Sequence, residues 1–193
     1  MKPSEDEILG VSRLLLRRLG EELRAVEILA LGGHGFQAAT LVCNLFEQSH
    51  YLTYVGINLD NAKRFIDWTD PHKPIIKIQE LVNGSGKARG WDQKRCDAEY
   101  NKYRFLCGFK HNNPMFQRIL QLQQTDPDLY MCQYSLAESI WCCTTALGLF
   151  ASQFLEVKHL YEFLEELDPI MEEAEKLLPD ISEKVSLETV ELK

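Results

Sequence analysis

The chain has 193 residues, 45% of them hydrophobic and 26% charged, which fits a globular protein with room for one sizeable core and excludes a low-complexity or collagen-like chain. A formal net charge of −8 excludes a molecule that holds nucleic acid over its whole surface. The charge is uneven: residues 87–118 carry eight bases (Lys87, Arg89, Lys94, Arg95, Lys102, Arg104, Lys110, Arg118) against three acids (Asp92, Asp97, Glu99), while residues 151–193 carry twelve acids against four bases. That asymmetry suggests a local anion-binding face on an acidic body, and an acidic C-terminal region that can meet a protein partner.

In chain order, a first helix opens at Ser4 as N-cap, with Glu5, Asp6 and Glu7 in the first turn, where the helix dipole favours acids. It carries Ile8, Val11, Leu14, Leu15, Leu19, Leu23 and Val26 on one stripe of helical period. Gly32-Gly33-His34-Gly35 ends it as a helix–helix corner, without the spacing of a dinucleotide fingerprint. A second helix spans about Phe36 to Asn58, and Asp60-Asn61 restarts a short one through Trp68. After the turn Asp70-Pro71-His72-Lys73-Pro74 comes a short amphipathic piece, Ile75 to Val82. The stretch from Asn83 to Gly90, with Gly84, Ser85 and Gly86, is the most loop-like in the chain.

Helix resumes from about Trp91 to Lys110 and stops at Asn112-Asn113-Pro114, because Asn tolerates the left-handed cap and Pro disfavours helix before it. A short helix (Met115 to Gln123), a turn at Thr125 to Asp128 and one long helix from Tyr134 to Leu167 follow. Pro169 then precedes a last acidic helix to Leu178. No segment has the alternation of a strand. The expected architecture is all-α: a single-domain up-and-down helical bundle over residues 1–179 with extra short helices, and a frayed or partner-bound tail over 180–193.

The N-terminal residues are polar and acidic, without a secretory signal. The uncharged runs 28–46 and 139–155 are short or broken for a membrane span, so the expectation is a soluble, cytoplasmic protein. Six cysteines (43, 96, 107, 132, 142 and 143) lie mostly in apolar helical stretches with no Cys-x-x-Cys pair. They read as free thiols in a reducing compartment, with no zinc site and no cofactor.

Two motifs invite chemistry and fall short. Gly84-Ser85-Gly86-Lys87 lacks the first glycine and the preceding strand of a phosphate-binding loop, and Ala88 stands where a Ser or Thr should follow the lysine. On the second helix Glu47, His50/Tyr51, Tyr54 and Asn58 form a polar stripe. It reads as a partly buried hydrogen-bond network, or as Glu47 and a Tyr hydroxyl orienting a group on a neighbouring helix. A metal at Glu47 and His50 would need ligands that the sequence does not identify.

The third motif goes further. Arg104 and His111 are seven residues apart on one helix, within about 20° of each other around its surface. A fixed cation can hold a phosphate bidentately, and an imidazole beside it can exchange a proton near neutral pH. Asn101 and Gly108 share their face and Tyr100 stands one turn earlier, while Phe105, Leu106 and Phe109 offer a core side. Gly108 is costly inside a helix by about 1 kcal/mol relative to Ala, so a close approach by a helix or ligand would explain it. Lys94, Arg95, Lys102 and Lys110 surround the motif as candidate nucleic-acid contacts. Most Arg/His pairs at helical spacing are ordinary surface groups, and that reading stands beside the functional one.

Arg, six residues, then His, in an all-α chain, resembles the signature of the HEPN superfamily, which is Arg, four to six residues, then His. The run Ala38-Ala39-Thr40-Leu41-Val42-Cys43-Asn44-Leu45-Phe46-Glu47, followed by Tyr100-x-x-Tyr103-Arg104-Phe105-Leu106 ahead of His111, is similar to an uncharacterised bacterial branch of it, over about residues 35–165. The resemblance implies a HEPN-like bundle and a homodimer whose two Arg/His motifs meet in a cleft. It further implies RNA cleavage without metal, by attack of the 2′-hydroxyl on the adjacent phosphate, in a toxin or phage-defence setting. In that scheme His111 is the general acid or base, Arg104 stabilises the phosphate and Glu47 supports them. Many family members have lost cleavage and act as binding modules. Phe105, where active members have a small polar residue, and the overall acidity favour that rival: a non-catalytic dimerisation or interaction module. A small-molecule pocket near Tyr51, Tyr54 and Trp68 is a third reading without a specific motif.

Overall fold

The computed structural model describes residues 5–70, 72–111, 113–114, 118, 126–154 and 157–177, and every regular element among them is a helix. The all-α expectation therefore holds. The helices are α1 (Glu5–Leu31), α2 (Gly35–Ile57), α3 (Leu59–Ile66), α4 (Ile78–Ala88), α5 (Gln93–Lys110), α6 (Pro127–Phe154) and α7 (Val157–Leu177). Ser4, most of the expected helix 115–123 and the tail 180–193 lie outside the described residues. No described helix is long and apolar enough to cross a membrane.

The centre of the bundle is α2, whose sequence carries Glu47 as its one acid and no Lys or Arg. A helix apolar nearly all round is stable only when covered on most sides, and α1, α3, α4, α5 and α6 all pack on it. Ala38, Ala39, Val42, Leu45, Phe46 and Val55 have no exposed surface. The corner before it has the expected form: Gly33 takes φ +80°, and Gly35 lies so close to α6 that a Cβ would collide with the Asp128 carbonyl. Asn58 caps α3, its side chain accepting from the Asn61 N–H at 2.9 Å.

Three expectations are corrected. Residues 83–88 are not a loop but the second half of α4. Their glycines serve close packing: a Cβ at Gly84 would lie 2.9 Å from the Tyr54 ring, and one at Gly86 would lie 2.5 Å from Cys96 Sγ. Ser85 between them is fully buried. The long helix expected from Tyr134 to Leu167 is two helices, α6 and α7, and α6 begins seven residues earlier. Pro127 occupies its first position, where no N–H is needed, and Asp126 Oδ1 accepts from the Leu129 N–H at 3.0 Å. Finally, Pro169 sits inside α7 and does not end the helix. Leu164 and Leu167 reach Gly148 of α6 before the proline, and Ala174 is buried beyond it, so packing on both sides carries the helix across the missing hydrogen bond.

Candidate functional site

Helix α5 starts at a capped end, with Asp92 Oδ1 accepting from the Arg95 N–H at 2.7 Å. Its inner side is aromatic. Phe105 and Phe109 meet edge to face at 5.1 Å between centroids, Phe105 also meets Tyr134 of α6 at 6.0 Å, and Phe109 meets Phe36 of α2 at 5.9 Å. Such contacts fix the rotation of the helix. Arg104 and His111 consequently lie on the outside, both exposed, and neither side chain bonds to another described residue. His111 is also the C-cap, its N–H donating to the Cys107 carbonyl at 2.9 Å.

The neighbours of this pair divide into those that share the outer face and those that do not. Asn101, Lys94 and Arg95 are exposed, with the Arg95 guanidinium 5.4 Å from the Trp91 ring centroid. Gly108 is buried, so it is not an opening on the exposed face. Tyr100 is half-buried and stacks on Tyr103 at 6.5 Å. Glu47 reaches α5 from α2: its Oε1 accepts from the Tyr103 hydroxyl at 3.0 Å and from Lys110 Nζ at 3.1 Å. Glu47 thus steadies the last two turns of α5 without touching Arg104 or His111. Beside it, Cys43 Sγ and Cys107 Sγ lie 3.7 Å apart.

Lys102 departs most from the outward, nucleic-acid-facing position expected of it. It turns inward, with Nζ 3.2 Å from Glu99 Oε1 and 3.0 Å from Glu138 Oε1 of α6. Burial opposes its charge, but the two carboxylates outweigh that and hold the ammonium above the ordinary lysine range. Burial pushes the Glu138 carboxyl up, with Glu99 adding to it and Lys102 opposing, and Glu138 Oε2 has no partner among the described residues.

The buried network continues through His50, whose Nε2 is 4.0 Å from Glu99 and whose Nδ1 bonds to Ser85 Oγ. Ser85 Oγ also lies 3.2 Å from the Val82 carbonyl, which ties the network to the α4 backbone. Burial first, then Arg89 and Lys102, keep the His50 imidazole neutral and its pKa well below the usual value. Arg89 is also inside: it donates to Thr53 Oγ1 at 2.8 Å, lies 4.9 Å from the Trp91 centroid, and is pulled down to about 10 by burial. Of the eight bases in 87–118, Arg89 and Lys102 are therefore spent in the core and Lys110 on Glu47, which leaves a thinner basic face than the count implies.

The sequence reading missed this network as a whole. One signal was available, because Glu138 is the only charged residue between Asp128 and Phe154. A lone acid in an apolar helix requires a buried partner. Elsewhere, Tyr54, Lys77, Gln79, Glu80, Asn83, Gly84 and Lys87 line a depression of about 460 Å³ that includes neither Tyr51 nor Trp68. Among the described residues no three His, Cys, Asp or Glu side chains are grouped to hold a metal ion. The chain matches no family model, no curated protein and no solved structure.

Proposed function

We propose that the protein is a HEPN-like, cytoplasmic RNA-binding homodimer that engages RNA through the outer face of α5 and cleaves it without metal. The observation that supports this reading is the pairing of Arg104 and His111: both exposed, on one side of a helix whose other side is locked into the core, and unengaged by other described residues. Phe105 does not oppose it on steric grounds, since that ring is 4% exposed and points away from the face. About 10 Å of helix rise separates the pair. One phosphate therefore meets both groups when Arg104 leans along the helix axis, or when a second copy brings its own pair across a cleft. Arg104 then neutralises the phosphate, and His111 takes the proton of the 2′-hydroxyl or returns one to the leaving 5′-oxygen. Incubating labelled tRNA and single-stranded RNA with the protein in EDTA is the test. The expected products carry 2′,3′-cyclic phosphate ends and are absent with His111→Ala; equal cleavage by both proteins removes His111 from the reaction.

A second reading, a non-catalytic dimerisation module, draws on α1, where Leu14, Ile28 and Leu31 are 53%, 60% and 74% exposed. Exposed large apolar groups of that kind suit a partner surface. On α7, Glu165, Glu166, Glu172 and Glu173 are exposed and suit a basic protein partner. On this second reading Ile28→Asp shifts the monomer–dimer balance in sedimentation, and the chain shows no RNA affinity even at low salt.

A further inference from the structure

We infer that Cys43 and Cys107 form a peroxide-responsive thiol pair that closes reversibly into a disulfide joining α2 to α5. The two sulfurs are in contact at 3.7 Å although 64 residues separate them in the chain. All six cysteines are free thiols, and among the described residues no other two sulfurs are in hydrogen-bond contact. A disulfide needs the sulfurs about 2 Å apart, so closure brings two sulfurs already in contact nearer by less than about 2 Å.

The two thiols are not equivalent. Cys107 is partly exposed, while Cys43 has no exposed surface. Around Cys107 stand the Cys43 thiol, the Tyr103 hydroxyl and the Lys110 ammonium, which favour its thiolate; burial and Glu47 oppose it. The outcome draws Cys107 down to about 6, with the Cys43 hydrogen bond the largest cause. Cys43 is driven far up by that same bond, by burial and by the neighbouring thiolate. The surroundings therefore favour negative charge on Cys107, the sulfur nearer to solvent, over Cys43. The other thiols lack this arrangement: burial pushes Cys143 up to about 12, and Cys96, Cys132 and Cys142 are raised as well.

The step balances with one hydrogen peroxide. Cys107 sulfur attacks one peroxide oxygen, the O–O bond breaks, and the departing hydroxide takes a proton to leave as water, giving Cys107 sulfenic acid. Cys43 sulfur then attacks the sulfenic sulfur, the S–O bond breaks, and the Cys43 proton leaves with the hydroxyl as a second water. Two thiols lose two electrons and two protons, and the peroxide is reduced to two waters. A dithiol reverses the bond by exchange. This inference does not depend on RNA binding.

The test treats the full chain with a few equivalents of hydrogen peroxide and maps the product under non-reducing conditions. The expected result is a loss of two hydrogens per chain, one Cys43–Cys107 linked peptide, and full reversal by dithiothreitol. In Cys43→Ser, dimedone is expected to label Cys107, and in the untreated native chain Cys107 is expected to alkylate at least about tenfold faster than Cys96. Wild-type mapping needs no variant to fold. A chain that keeps all its thiols under peroxide, or links a different pair, overturns the inference, as does alkylation of Cys107 no faster than Cys96.

Discussion

Lys102 of α5 and Glu138 of α6 face each other across the core at 3.0 Å, and Glu99 shares the same ammonium at 3.2 Å. One cation thus neutralises part of two buried carboxylates, and it ties the helix that carries Arg104 to the longest apolar helix of the bundle. Buried ion pairs of this kind add little over a well-packed apolar substitute, but breaking one leaves an uncompensated charge.

Replacing the cation alone is therefore severe. Lys102→Ala is expected to destabilise the fold by about 3–5 kcal/mol in urea unfolding. Lys102→Met combined with Glu99→Met and Glu138→Leu, which leaves no buried charge behind, should recover much of that loss. A change below about 1 kcal/mol for Lys102→Ala would show that Glu99 and Glu138 are hydrated and not buried.

The neutral His50 makes stability depend on pH. Its folded pKa is depressed, so below the unfolded value of about 6.5 the unfolded chain binds the proton first. Its contribution is complete above that pH and is lost as pH falls from about 6.5 towards the lower folded value. The expected slope from this group approaches about 1.4 kcal/mol per pH unit within the window. His50→Gln should remove that component from the pH series; an unchanged slope would contradict the buried placement.

The glycines of α4 distinguish a packed helix from a loop. In an exposed helix Gly→Ala would stabilise by about 1 kcal/mol. Here Gly84→Ala meets the Tyr54 ring, and Gly86→Ala meets Cys96 Sγ and the Trp91 ring. Both are expected to destabilise by about 1–3 kcal/mol, with Gly86→Ala the worse. Thermal melts of the two variants decide it, and a neutral or stabilising Gly86→Ala would contradict the close packing of α4 on Cys96 and Trp91.

These positions also show how far the sequence could be read. The helical period of α1, the Gly33 corner, the Asn58 restart and the end of α5 at Lys110 follow local rules of stripe, cap and breaker, and they stand where local chemistry puts them, except that Leu14 falls outside the buried stripe and is exposed. Gly84 and Gly86 were misread because a glycine that relieves a turn and a glycine that admits a neighbouring ring look identical in one dimension. Pro169 was misread because its helix is held by α6, which no local signal reports. Lys102 counted as part of a basic patch because charge along the chain says nothing of direction. The outward placement of Arg104 and His111, by contrast, was legible, since Phe105, Leu106 and Phe109 mark the opposite face.

The most direct measurement is RNA affinity at a series of salt concentrations for the wild-type chain and Arg104→Ala. Arg104 is exposed and unbonded to other described residues, so its loss should change stability by no more than about 0.5 kcal/mol. Losing one charge-assisted phosphate contact is worth about 1.5–3 kcal/mol, so the predicted result is weakening by about tenfold or more, together with a shallower salt dependence by about one phosphate contact. Equal affinity and equal slope for the two proteins, with the fold intact, would contradict an RNA-binding face on α5.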